Sequence, residues 1–184
     1  MKETTLTLSP LEKTYAAQSR PMPQVEFVDA QDIPEPYQRL LVHKDDMTET
    51  LEYFYQQKME LRVLEQQPTE HLMLRQVLLI SHDTHQPVEF GAITIHLDYF
   101  TSDAQNKILE GIVPLGAIFR EQTIKHTSNP QAYFKIWSDE TITDLLKLDQ
   151  PQWLWGRQNV HRNLDGNVLA EMVEILPPYQ EAAS

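Results

Sequence analysis

The sequence contains no cysteine. That excludes disulfides, thiol nucleophiles and thiolate metal sites, and it is consistent with a cytoplasmic protein. Glycine is almost as scarce, with five in 184 residues, and none forms a glycine-rich phosphate loop or a Gly-x-Ser-x-Gly nucleophile elbow. Positive charge is in deficit: 15 Lys and Arg stand against 27 Asp and Glu, a formal net charge of -12. Such a surface repels nucleic-acid phosphates and anionic lipid, so no nucleic-acid partner is expected. An anionic ligand then needs its own local cluster of positive charge, which makes each buried arginine informative. No apolar run approaches the ~20 residues needed to span a bilayer, so no membrane span is expected. Met1-Lys2-Glu3-Thr4-Thr5 lacks the basic-then-apolar order of a signal peptide. The seven histidines show no His-Glu-x-x-His form and no paired-ligand run, so no metal site is expected.

What is present suffices for one core: 41% of the 184 residues are hydrophobic. Pro10, Pro21 and Pro23 punctuate residues 1–30, which read as a partly ordered N-terminal arm ahead of one domain over 31–180. Within that domain Pro36 to His43 is a short helix candidate. Asp46-Met47-Thr48-Glu49 has the form of a capping box opening a helix to about Gln57, with Met47 and Leu51 inward. Met59, Leu61 and Val63 alternate with polar residues as in a strand. Leu72–Ile80 and Val88–Leu97, separated by the polar turn Ser81 to Gln86, form a long hairpin. Ser102-Asp103-Ala104-Gln105 opens a further helix that Gly111 ends. Val113 to Phe119 reads as a tight turn into a short helix.

Residues 121–127 and 131–137 read as a strand pair joined through Ser128-Asn129-Pro130. Trp153–Leu164 and Val168–Leu176 are strands joined by an Asp165-Gly166 turn. Trp137, Trp153 and Trp155 are assigned to the core. Hairpins dominate, so the expected class is α+β: one antiparallel sheet with helices set against one face.

Two strands carry charge where a core belongs. Arg75 shares a strand face with Met73, Val77 and Leu79. A lone guanidinium there costs several kcal/mol to desolvate, so it needs a carboxylate from the protein or from a ligand. In Leu169 to Leu176, alternation places Glu171 and Glu174 on opposite faces. Either one of them faces inward or both flank an edge strand and are wet, and periodicity leaves this open. A glutamate buried beside an apolar ring has its pKa raised by desolvation and suits proton transfer.

Four segments then resemble, in order and spacing, the chorismate pyruvate-lyase family over about residues 40–178. They are Leu40-Leu41-Val42-His43-Lys44-Asp45-Asp46-Met47-Thr48, Leu72-Met73-Leu74-Arg75-Gln76-Val77-Leu78-Leu79, Pro114-Leu115-Gly116 and Leu154-Trp155-Gly156-Arg157. The closing Asp165-Gly166 hairpin with Glu174-Ile175-Leu176-Pro177 is similar to the family's final strand. The resemblance implies about six antiparallel strands with helical flaps over a buried ligand. It also implies cofactor-free conversion of chorismate to 4-hydroxybenzoate, a quinone precursor, and pyruvate.

On that resemblance Arg75 holds the ring carboxylate, with the backbone amides at Met47 and Leu115 assisting. Gly116 and Arg157 complete the binding set, and Glu174 takes the place of the acid/base glutamate, given one extra residue in the last hairpin. Without that residue Glu171 is the same-facing candidate. Gln76 and Ala117 replace the family's usual Glu and Arg, as in its divergent branch from cyanobacteria, algal plastids and some actinobacteria.

The alternative is a non-enzymatic sensor, because effector-binding domains of some bacterial transcription regulators share this fold. The ~30 residues ahead of the fold are short and proline-rich for a helix-turn-helix. A third reading is an interaction protein with a vestigial pocket.

Overall fold

A computed structural model describes residues 6–179. The first helix, α1 (Ser9–Ala17), belongs to the segment read as an arm, yet Leu8, Leu11 and Tyr15 are buried in the core. Pro10 does not oppose it, because the first turn of a helix has no N–H bond to lose there. Residues 1–5 of that segment lie outside the described residues. Strand β1 (Val25–Val28) follows, then α2 (Tyr37–Leu41) and α3 (Met47–Tyr55). The long meander comes next: β2 (Met59–Pro68), β3 (Leu72–Ser81) and β4 (Pro87–His96). Helices α4 (Ser102–Glu110) and α5 (Leu115–Glu121) lead to β5 (His126–Trp137), α6 (Glu140–Leu145), β6 (Trp153–Asn163) and β7 (Val168–Leu176).

All seven strands join one antiparallel sheet in the order β1-β5-β6-β7-β4-β3-β2. The seventh strand, one beyond the expected six or so, is β1, which pairs with β5 from within the supposed arm. The expected strand pair at 121–137 is instead one strand. Pro130 sits at a register shift opposite Asn159, a bulge that accommodates its missing N–H without a turn. Helix α6 has no counterpart in the sequence reading. Its signal was local: Asp139 accepts from the amide of Ile142 at 2.9 Å as an N-cap. For α4 the capping residue is Thr101, one position earlier than expected, accepting from Ala104 at 3.3 Å.

The two faces of the sheet do different work. On one, Leu78, Phe90, Phe134 and Val173 pack with Leu11 and Tyr15 of α1 and Ile142 of α6. On the other, α3, α4 and α5 lie over the sheet as flaps. Gly156 is needed for the first packing. A Cβ there would meet the Phe134 ring at 2.5 Å and the Glu174 carbonyl at 2.7 Å. Trp137 departs from the expected core position: it is 41% exposed at the sheet edge, edge-on to the half-buried Trp153.

Candidate functional site

Between the flap-covered face and α3 and α5 lies a cavity with about 60 Å3 open to water-sized groups. One water takes ~10–15 Å3 on that measure, so the space suits a small compound. Its floor comes from three neighbouring strands: Arg75 and Val77 of β3, Glu89 and Gly91 of β4, and Met172 and Glu174 of β7. Register explains why these side chains converge. Arg75 pairs with Ile93, Ile93 with Met172, Gly91 with Glu174, and Glu174 with Arg157, and directly paired residues share a face. Met47 and Thr48 at the start of α3, with Pro114, Leu115 and Gly116 at the start of α5, form the roof.

Arg75 is 2% exposed. One of its terminal nitrogens donates to the carbonyl of Ile108 at 3.1 Å, and its Nε has no partner. Among the described residues no carboxylate pairs with it. Burial lowers its pKa to about 10, which still leaves it charged at neutral pH.

The β4–β7 register separates the two carboxylates. Glu174 is 4% exposed and lines the cavity. Glu171 pairs with Thr94 on the opposite face, where it is half-buried near His96. Arg157 lies behind Glu174 rather than on the cavity. Its Nε donates to the Glu174 carboxylate, and its other nitrogens donate to the carbonyls of Leu41 (3.1 Å), His43 (3.2 Å) and Asp45 (3.3 Å). It thus ties the chain ahead of α3 to the sheet, which differs from the ligand contact the resemblance implied. Met47, Leu115 and Gly116 lie at the cavity.

Neither departure from the family pattern reaches the cavity. Gln76 points to the other face and donates to the Thr14 hydroxyl at 2.8 Å, and Ala117 sits on α5 away from the cavity lining.

Two features escaped the sequence reading. Glu89 is 5% exposed on the cavity floor, with Oε2 unpartnered. Burial, with Glu174 beside it, pushes its carboxyl well above the usual range, against the opposing pull of Arg157. The signal was available, since Glu89 interrupts an apolar strand just as Arg75 does. The second feature is that His126 and His161, remote in sequence, meet on neighbouring strands with their ring centroids 5.0 Å apart, and both face Asp46. Motif spacing along the chain does not register ligands that are assembled across strands.

Asp46 begins α3 as expected, but its side chain makes no capping bond. It accepts instead from His126 Nε2 at 2.8 Å. Burial pulls the His126 pKa down, but that hydrogen bond and the one to the Ile124 carbonyl leave it raised. Burial lowers His161 to about 4, so its ring is neutral.

No known family's sequence profile matches this chain, and no curated protein matches it. Solved structures do. PhnF from Mycobacterium smegmatis superposes over 91% of this chain and 93% of its own, with TM-score 0.55 and 9% identity. The effector domain of PhnF matches over 71% and 87%, with TM-score 0.53 and 10% identity. Gene product SA0254 from Staphylococcus aureus covers 65% of this chain and 82% of its own, with TM-score 0.51 and 10% identity. At these identities the likeness is one of architecture: a chorismate lyase-like antiparallel sheet, the fold that the sequence led us to expect.

Proposed function

We propose that this chain is a cofactor-free chorismate pyruvate-lyase. The observation that carries the proposal is Arg75, a buried guanidinium on the floor of a sheltered cavity with no carboxylate partner among the described residues. A ligand carboxylate supplies the missing partner, and a bidentate pair fixes the ring's position and orientation. Glu174 and Glu89, on the same sheet face, then lie against the ring.

The elimination breaks the bond between the ring carbon and the enolpyruvyl oxygen and removes the proton on the adjacent, hydroxyl-bearing ring carbon, so the ring becomes aromatic. The enolpyruvyl fragment takes up one proton and leaves as pyruvate, and the reaction is proton-neutral overall. Because aromatisation drives it, orientation and a proton shuttle suffice. In this reading Glu174, which accepts from Arg157, takes the ring proton, and Glu89, whose carboxyl burial raises well above the usual range, gives one up, each step worth ~10²–10⁴-fold.

A second reading is favoured by the likeness to the effector domain of PhnF. In it the same clamp holds an aromatic acid without turnover, as a sensor. Incubating purified protein with chorismate separates the two. Stoichiometric pyruvate and 4-hydroxybenzoate support the lyase. Tight 4-hydroxybenzoate binding with no pyruvate formed supports the sensor and ends the lyase proposal.

A further inference from the structure

We propose that Asp46, His126 and His161 form a binding site for a divalent transition-metal cation of the zinc class, which pins the α3 flap to the sheet. One ligand atom from each residue lies within 4.8 Å of the others. Two imidazoles and a carboxylate are donors such ions take at ~2.0–2.2 Å, which sets tetrahedral ligand atoms ~3.3 Å apart. The Asp46 oxygen already stands 2.8 Å from His126 Nε2 and 3.5 Å from His161 Nε2. Closing the shell therefore takes side-chain shifts of at most about 1.5 Å.

One of the two histidines already has the outer hydrogen bond that metal ligands carry. His126 Nδ1 donates to the Ile124 carbonyl at 3.0 Å, which orients the ring and leaves Nε2 for the ion. The buried His161 ring has no partner at Nδ1 among the described residues. Its Nε2 now faces the Asn159 amide at 3.3 Å, which keeps a 2.8 Å bond to the Ser128 hydroxyl when it yields. Phe119 packs against both rings, its centroid 4.2 Å from His126 and 5.4 Å from His161. An open cleft lined by Glu49, Ser128 and Asn129 reaches Asp46 and His126 from the surface and supplies an entry path.

Geometry also gives the ion a task. Asp46 stands at the start of α3, beside the roof residues Met47 and Thr48, while the histidines belong to β5 and β6. An ion shared by the three joins a flap to the sheet at the rim of the cavity. This site is independent of whether the cavity turns over chorismate.

The test uses the full chain, stripped with a chelator and dialysed, then titrated with Co2+ and separately with Zn2+. Expected are one ion per chain, a visible cobalt band of a nitrogen/oxygen site, and a zinc-dependent rise in unfolding temperature. His126→Gln, at the half-buried rim, and His161→Gln should each weaken binding by more than about tenfold. The exposed His82→Gln should leave it unchanged. Circular dichroism and unfolding of the metal-free variants check their fold. Binding without fixed stoichiometry, or equal in wild type and His126→Gln, overturns the proposal, as does a spectrum and stability indifferent to both ions.

Discussion

Two arginines lie buried on the same face of one sheet, and they differ in what surrounds them. Arg157 is saturated, with a carboxylate and three backbone carbonyls accepting from it. Arg75 has one carbonyl and an unpartnered Nε. The first is part of the fold, because its partners would be stranded without it. The second has no compensating carboxylate among the described residues, which is the condition of a ligand clamp. Burial and apolar neighbours are alike for both, so the list of partners is what separates structure from function.

The sharpest way to break that comparison is to remove each charge in turn. Arg157→Met leaves Glu174 buried without its ion-pair partner and three carbonyls without a donor, and should cost about 3–5 kcal/mol of stability. Arg75→Met strands no carboxylate, and should change stability by less than about 1 kcal/mol in either direction. Denaturant unfolding of both variants measures this, and equal losses would erase the distinction.

Next in size is the partner of Arg157. Glu174→Gln should cut chorismate turnover ~10²–10⁴-fold while keeping product affinity, since the amide preserves shape but cannot take up the ring proton. Glu171→Gln, on the far face, should be nearly silent in the same assay. Arg75 itself is tested by binding. Arg75→Ala should weaken 4-hydroxybenzoate by about 2–4 kcal/mol, with Arg75→Lys recovering only part because a point charge lacks the bidentate fork. Calorimetric titration gives both values, and unchanged affinity in Arg75→Ala would place the clamp elsewhere.

The smallest effect concerns Glu89. Its folded-state pKa is raised, so the folded chain keeps a proton that the unfolded chain releases near 4.5. Stability linked to this group is therefore complete below that pH and is lost as pH rises through the folded value. Glu89→Gln, which needs no proton, should abolish this part of the pH dependence and be relatively more stable at alkaline pH. Parallel stability-against-pH curves for the two proteins would show that Glu89 ionises freely.

The β3–β4 and β6–β7 hairpins were legible because apolar alternation and an Asp-Gly turn are local signals. Arg75 was legible for the same reason, as a charge that violates an otherwise apolar strand. Between Glu171 and Glu174, strand parity showed only that they oppose each other. Choosing one required the β4–β7 register, a long-range property. Strand β1 and helix α1 were hidden by prolines that fall where helix starts and strand flanks tolerate them. The Asp46, His126 and His161 cluster was hidden because pairing of β5 with β6 assembles it from residues far apart in sequence.

Helix α1 seals the sheet from behind, seating Leu8, Leu11 and Tyr15 against β3, β4 and β7. That covers the cavity floor from the far side, so in the proposed reading a ligand exchanges through the roof formed by the starts of α3 and α5. That makes the pocket's timing separable from its strength. On the proposed reading, the observed association rate at high ligand concentration should level off at the rate of roof opening, and product dwell time should follow the same motion however well Arg75 grips.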